Sequence, residues 1–100
     1  MAIVDSEKEY RSAAKQIDTP QASVRKVLFM LQEELECAMK KHPVGFHTPH
    51  EGYAVILEEL DELWDLVKAD KARGSDAERE AIQIAAMAVR YVLDICRASK

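Results

Sequence analysis

The sequence predicts an all-α protein, a subunit of the four-helix-bundle type, and three observations carry that prediction. Helix-start signatures recur four times along its 100 residues. Between them apolar residues return at steps of three and four, and nowhere alternate with period two for long enough to make a strand. Three glycines and three prolines are too few for a β-sandwich, which needs a turn about every 10 residues.

The first signature, Ser6-Glu7-Lys8-Glu9, is a capping box, in which hydroxyl and carboxylate each satisfy the other residue's free backbone N–H. It predicts a helix over about 6–17. Thr19-Pro20 sets a capping hydroxyl before a proline whose missing N–H costs nothing at the first helical position, predicting a helix over 20–41. Val24, Val27, Leu28, Leu31, Leu35, Ala38 and Met39 form its apolar stripe. Thr48-Pro49-His50-Glu51 combines both devices and predicts 49–70, with Tyr53, Ile56, Leu57, Leu60, Leu63, Trp64 and Val67 as a second stripe. Tyr53 and Trp64 are thereby expected in the core.

The fourth helix, 76–97, follows from Gly74-Ser75-Asp76-Ala77-Glu78, a chain-reversing glycine and a further box. From Ala81 to Cys96 only Gln83, Arg90 and Asp94 are polar, so this helix is expected to be central and buried on several sides. A bundle of this size buries only part of its surface, so two or more copies are expected to pack together; the alternative is that the first helix and its neighbours cover this one within a monomer.

Composition narrows the function. With 48% hydrophobic and 32% charged residues, the chain is globular and long enough for one domain. A net charge of −4 gives no overall field to draw in nucleic acid or an anionic membrane. No stretch reaches the ~18 apolar residues of a membrane span. The start, MAIVDSEKEY, turns acidic before any apolar run develops, unlike a secretory signal. Cys37 and Cys96 lie far apart in helical stretches, unlike a disulfide scaffold or zinc ribbon. They are expected as two buried free thiols in a reducing cytoplasm.

The acids are the distinctive feature. Glu58-Glu59-Leu60-Asp61-Glu62 puts four carboxylates in five positions of the third helix. At ~100° per residue, Glu58, Glu62 and Asp65 point away from the apolar stripe, while Glu59 lies on its border with Glu62 as its i+3 neighbour. Glu80 opens the apolar run of the last helix, with Gln83 at i+3. An antiparallel pair of helices lets Glu59 and Glu62 face Glu80 and Gln83. Carboxylates from two rigid helices suit a hard divalent cation such as magnesium, which keeps waters and takes phosphate oxygens as further ligands. A solvated acidic face is the alternative.

Di-iron carboxylate bundles need Glu-x-x-His pairs on inward-facing helices. His42, His47 and His50 instead fall in or beside one loop, with no strong zinc spacing. Arg90 is either the structural partner of Asp94 at i+4 or a contact for substrate phosphate. Phe46, in the loop, is a candidate for stacking on a base.

The E-E-x-x-E run at Glu58–Glu62, followed after 17 residues by E-x-x-Q at Glu80–Gln83, resembles the signature of the all-α nucleotide pyrophosphohydrolases. These comprise the MazG-like proteins, the dimeric dUTPases and the HisE-type enzymes. The stretches HEGYAVILEELDELWD and EAIQIAAMAVRYVLDI are similar to small MazG-like proteins of bacteria and their phages. The resemblance covers roughly residues 24–97, making 1–20 a helical extension and 21–100 a MazG-like core within one domain.

It implies hydrolysis of nucleoside triphosphates between the α and β phosphates to a monophosphate and pyrophosphate, in clearing unwanted nucleotides. It further implies magnesium, with manganese as a substitute, and assembly as homodimers or homotetramers. By position, Glu59, Glu62 and Glu80 would be metal ligands and Glu58 would orient or deprotonate the attacking water. The family's second motif is E-x-x-D, and Gln83 stands at its last position. An amide offers an oxygen without charge, which implies a weaker metal site. A nucleotide or metal sensor would follow if that weakening is decisive, and a structural helical adaptor if the acids are only a solubilising face.

Overall fold

The computed structural model describes residues 19–98, which are all-α. Three helices follow in order: α1 (Pro20–Lys41), α2 (Pro49–Lys68) and α3 (Ser75–Tyr91), the last running into a π-helical turn at Val92–Cys96. The helix expected over 6–17 lies outside the described residues. The chain divides into two compact units between Met30 and Leu31, inside α1.

In the first unit, α1 starts as its sequence dictates. Thr19 Oγ1 accepts the Ala22 N–H at 3.1 Å and the Thr19 carbonyl accepts that of Ser23 at 3.0 Å. Ala22 is buried, while Val24, Val27, Leu28 and Phe29 are exposed.

The second unit holds the rest of α1 and the antiparallel pair α2–α3. Thr48 caps α2, its hydroxyl accepting the Glu51 N–H at 3.0 Å. The Glu51 carboxylate returns to the N–H of His47 at 2.6 Å rather than to that of Thr48, so the expected box closes one residue early. α2 stops at Lys68 in a Schellman arrangement: the Asp70 N–H reaches the Val67 carbonyl at 3.1 Å, and that of Lys71 reaches the Leu66 carbonyl at 2.8 Å. Asp70 takes the left-handed conformation this requires, with φ 61°. The reversal expected at Gly74 is therefore made at Asp70. Gly74 is extended (φ −91°) and is itself the N-cap of α3, with no side-chain capping bond, so the expected Ser75 box does not form.

Small residues let α2 and α3 approach. Gly52, Ala77 and Ala86 are buried, and a Cβ at Gly52 would stand 2.6 Å from Tyr91 Cδ2. Ile56, Glu59, Leu63 and Leu66 of α2 are half-buried. The other apolar edge of α2, Tyr53, Leu57, Leu60, Trp64 and Val67, is exposed, which corrects the expectation that Tyr53 and Trp64 are core residues. α3 is likewise not buried on all sides, since most of its apolar residues are only half-buried. Cys37 and Cys96 are free thiols, as expected, but both are exposed.

The connection between α1 and α2 is tied to the end of α3. Arg90 is 5% exposed and donates to the carbonyls of Ala38 and His42 and, through Nε at 3.3 Å, to the Asp94 carboxylate. Asp94 in turn accepts the Phe46 N–H at 2.9 Å. A Cβ at Gly45 would overlap the Asp94 carboxylate, so only glycine fits there. The π turn, closed by the Arg97 N–H on the Val92 carbonyl at 2.8 Å, contains Asp94. No described helix is long and apolar enough to cross a membrane.

Candidate metal centre

Two residues of α2 and one of α3 form an acidic cluster. Glu59 and Glu62 are one turn apart on a shared flank of α2, and Glu80 meets them from the second turn of α3. One carboxylate oxygen from each lies within 4.8 Å of the other two. The short reversal at Asp70 and the close packing at Ala77 bring these turns together. Among the described residues this is the group of three ligand side chains that converge; Cys37 and the loop histidines are not in it.

Burial sharpens the arrangement. Glu59 and Glu80 are half-buried and Glu62 is exposed. Glu59 Oε1 and Glu80 Oε1 are each hidden from solvent with no hydrogen-bond partner. A carboxylate has no hydrogen to give, so oxygens gathered this way need a proton or a cation between them. The Glu62 carboxyl is accordingly held above its ordinary value of 4.5, first by its hydrogen bond with Glu80, then by the charge of Glu80, desolvation and the charges of Glu58 and Asp65. Glu80 is also raised, chiefly by burial and next by its hydrogen bond with Glu59, against lowering influences from Glu62 and Arg79. Arg79 also pairs with Asp76 at 3.6 Å, so the positive charge it offers Glu80 is shared.

These residues fit a hard divalent cation. Three anionic oxygens come from two helices, two of the carboxylates carry an unpartnered buried oxygen, and exposed Glu62 leaves the site open to water and further oxygen ligands.

The other residues singled out by sequence sit as follows. Gln83 is half-buried one turn beyond Glu80 on α3, and Glu58 is exposed, acting on Glu62 through its charge. The Arg90 guanidinium is engaged with Asp94 and two carbonyls, the structural alternative of the two readings. Phe46 is half-buried, its amide held by Asp94 and its ring against Gly52, where a Cβ would be 3.1 Å from Phe46 Cδ2. His47 Nδ1 lies 3.8 Å from Glu51 at the surface. A concavity of about 790 Å³ opens instead at the α2–α3 connection, lined by Val67, Asp70, Arg73 and Asp76 among others, with none of the three cluster acids in its wall.

Sequence reasoning missed the part played by Gly45, Gly52 and Tyr91 in fixing the Phe46 loop. The available signal was a pair of glycines flanking an aromatic residue and a helix start.

Compared with known proteins, the chain matches no family model, no curated protein and no solved structure.

Proposed function

We propose that this chain is a magnesium-dependent nucleoside triphosphate pyrophosphohydrolase. It would convert (d)NTP to (d)NMP and pyrophosphate in the cytoplasm, as a homodimer or homotetramer clearing unwanted nucleotides. The supporting observation is the convergence of Glu59, Glu62 and Glu80 with two buried, unpartnered carboxylate oxygens. The choice of reaction rests on the E-E-x-x-E and E-x-x-Q resemblance.

Glu59, Glu62 and Glu80 would hold the cation, and the Gln83 amide oxygen would be an uncharged further ligand. Magnesium, or manganese in its place, would neutralise the triphosphate and stabilise the leaving pyrophosphate. Glu58, solvent-exposed beside Glu59, orients the attacking water or accepts its proton. Phe46 offers its ring to the base. Arg90 serves the substrate through the loop it fixes, and contacts phosphate directly only if it leaves a carbonyl of α1 or its connection.

Incubation of the purified chain with magnesium and a panel of NTPs and dNTPs tests this. Release of monophosphate with pyrophosphate, abolished in Glu59→Ala, is the expected result. Release of inorganic phosphate alone would overturn it. Gln83 favours a second reading, a nucleotide or metal sensor, for which the same panel gives binding without turnover. A structural adaptor would bind magnesium no better than Glu59→Ala does.

A further inference from the structure

We infer that the concavity at the α2–α3 connection is a polyphosphate subsite, in which Lys71 and Arg73 receive the β- and γ-phosphates of the substrate. The inference rests on the function proposed above. It adds the direction in which the leaving group departs and the residues that meet it.

It starts from charge that the fold does not use. The wall of this concavity of about 790 Å³ is drawn entirely from positions 67–76 of the second unit. Its cations, Lys71 and Arg73, are exposed and hold no ion pair among the described residues, unlike Lys68, Arg79 and Arg90. Of its two acids, Asp76 is paired with Arg79 at 3.6 Å, so Asp70 stands against two unpaired cations. Ser75 adds a hydroxyl to the same wall. An ammonium, a guanidinium and a hydroxyl around one open space are the donors that phosphate oxygens take.

The concavity adjoins the acidic cluster. Asp76 in its wall and Glu80 in the cluster are four residues apart on one face of α3, about 6 Å along the axis. On α2, Val67 lies five residues beyond Glu62, or about 7.5 Å. Arg79 spans the two regions, pairing with Asp76 while its charge acts on Glu80. A phosphate chain that begins at the cluster and runs toward the connection therefore meets Lys71 and Arg73 within about one helical turn.

The rest of the groove fixes the direction. The Phe46 ring lies against Gly52, which precedes Glu59 by seven residues on nearly the same face of α2, about 10 Å away. Aromatic ring, acidic cluster and unpaired cations thus follow one another along the hairpin. A base at Phe46 and phosphates at the connection match that order. The reverse orientation would set phosphates against a half-buried ring and the base among charges.

The reaction gives these cations work. Water bonds through its oxygen to the α-phosphorus and loses a proton to Glu58. The bond from the α-phosphorus to the bridging oxygen breaks, and pyrophosphate departs with that oxygen and the electron pair. Negative charge grows on the β and γ side as it does so, where Lys71 and Arg73 stand.

Calorimetry with inorganic pyrophosphate in saturating magnesium tests the assignment on the full chain. Lys71→Ala/Arg73→Ala should bind pyrophosphate about tenfold or more weakly than the wild type, the loss expected when charge-assisted hydrogen bonds are removed. Magnesium alone should bind both proteins equally. Lys41→Ala, which removes a charge at the end of α1, should bind pyrophosphate as the wild type does. Both substituted side chains of the double variant are exposed, so its helical circular dichroism should be unchanged. A wild type that binds no pyrophosphate, a double variant that binds it undiminished, or an equal loss in Lys41→Ala would each overturn the inference. A matching loss of magnesium affinity in the double variant would overturn it too, by locating the effect at the cluster. Nucleotide turnover with undiminished pyrophosphate affinity in the double variant removes the subsite and leaves the proposed reaction standing. Pyrophosphate binding through Lys71 and Arg73 without turnover removes the reaction and leaves the subsite.

Discussion

The Glu80→Gln substitution separates a cation site from a solvated acidic face, because the two respond to magnesium with different signs. Oxygens of Glu59 and Glu80 lie within 4.8 Å of each other. Two unit charges at that distance repel by just under ~1 kcal/mol even with full water screening. That screened figure is the appropriate one for partly exposed groups. Glutamine keeps the shape, removes one charge and can donate to a neighbouring carboxylate. Without divalent cation the variant should therefore be more stable by about 1 kcal/mol, or ~4–8 °C in Tm for a chain of this length. With magnesium at 100 times its Kd, the wild type should gain about 2.7 kcal/mol. The variant, with one of three anionic ligands gone, should gain far less, so the order of melting reverses. Thermal melts of both proteins in EDTA and in saturating magnesium measure this directly. A variant that melts no higher than the wild type in EDTA would refute the reasoning, as would equal stabilisation of both by magnesium.

The raised carboxyls also fix a pH dependence. Glu62 and Glu80 keep protons in the folded state at pH values where the unfolded chain has released them, so stability falls as pH rises from 4.5 through the raised values. Denaturant titrations in EDTA across that window should show the fall, and magnesium should flatten it. Gln83→Asp should tighten magnesium binding roughly fifteenfold, the effect of one more negative charge on a divalent cation at a separation of ~5 Å in water, about 1.7 kcal/mol; a calorimetric titration without change would place Gln83 away from the cluster. Asp70→Gly should add about 0.5–1 kcal/mol by relieving the left-handed conformation, with magnesium affinity unaltered, as read by paired denaturation and calorimetry. Arg90→Met should cost about 3 kcal/mol or more, because it leaves the Asp94 carboxylate and the Ala38 and His42 carbonyls without their donor. Its loss should also speed amide exchange at Phe46, whose N–H is held by Asp94.

What could be read in advance was what is local. Thr19 and Thr48 cap their helices because a hydroxyl two or three residues from a free N–H needs no tertiary partner. Glu59, Glu62 and Glu80 could be brought together on paper because a short connection between two periodic helices leaves few registers. Reversal at Asp70 in place of Gly74 could not, since the left-handed position depends on where packing ends α2, and aspartate tolerates it. Exposure of Trp64 and Tyr53 was equally hidden: periodicity says which residues share a face, and is silent on whether anything covers it. The Arg90–Asp94 pair was visible at i+4. Its other partners, 48 and 52 residues away at His42 and Ala38, belong to the tertiary fold alone.

The acidic cluster and the bare face of α2 weigh on each other. Gathering three carboxylates and hiding two of their oxygens destabilises the protein without a cation, and the buried apolar set among the described residues, three alanines, offers little to offset that. A solubilising acidic face would serve better dispersed, with every oxygen in water. Concentrating the charge against α3 makes physical sense if a cation compensates it, and carrying Tyr53, Leu57, Leu60, Trp64 and Val67 on the same helix makes sense if association provides the missing burial. Both compensations act on α2, since it carries Glu59 and Glu62 on one flank and the apolar stripe on another. Association and cation binding would therefore stabilise the same helix from two sides, so a thermal melt that tests one must hold the other fixed.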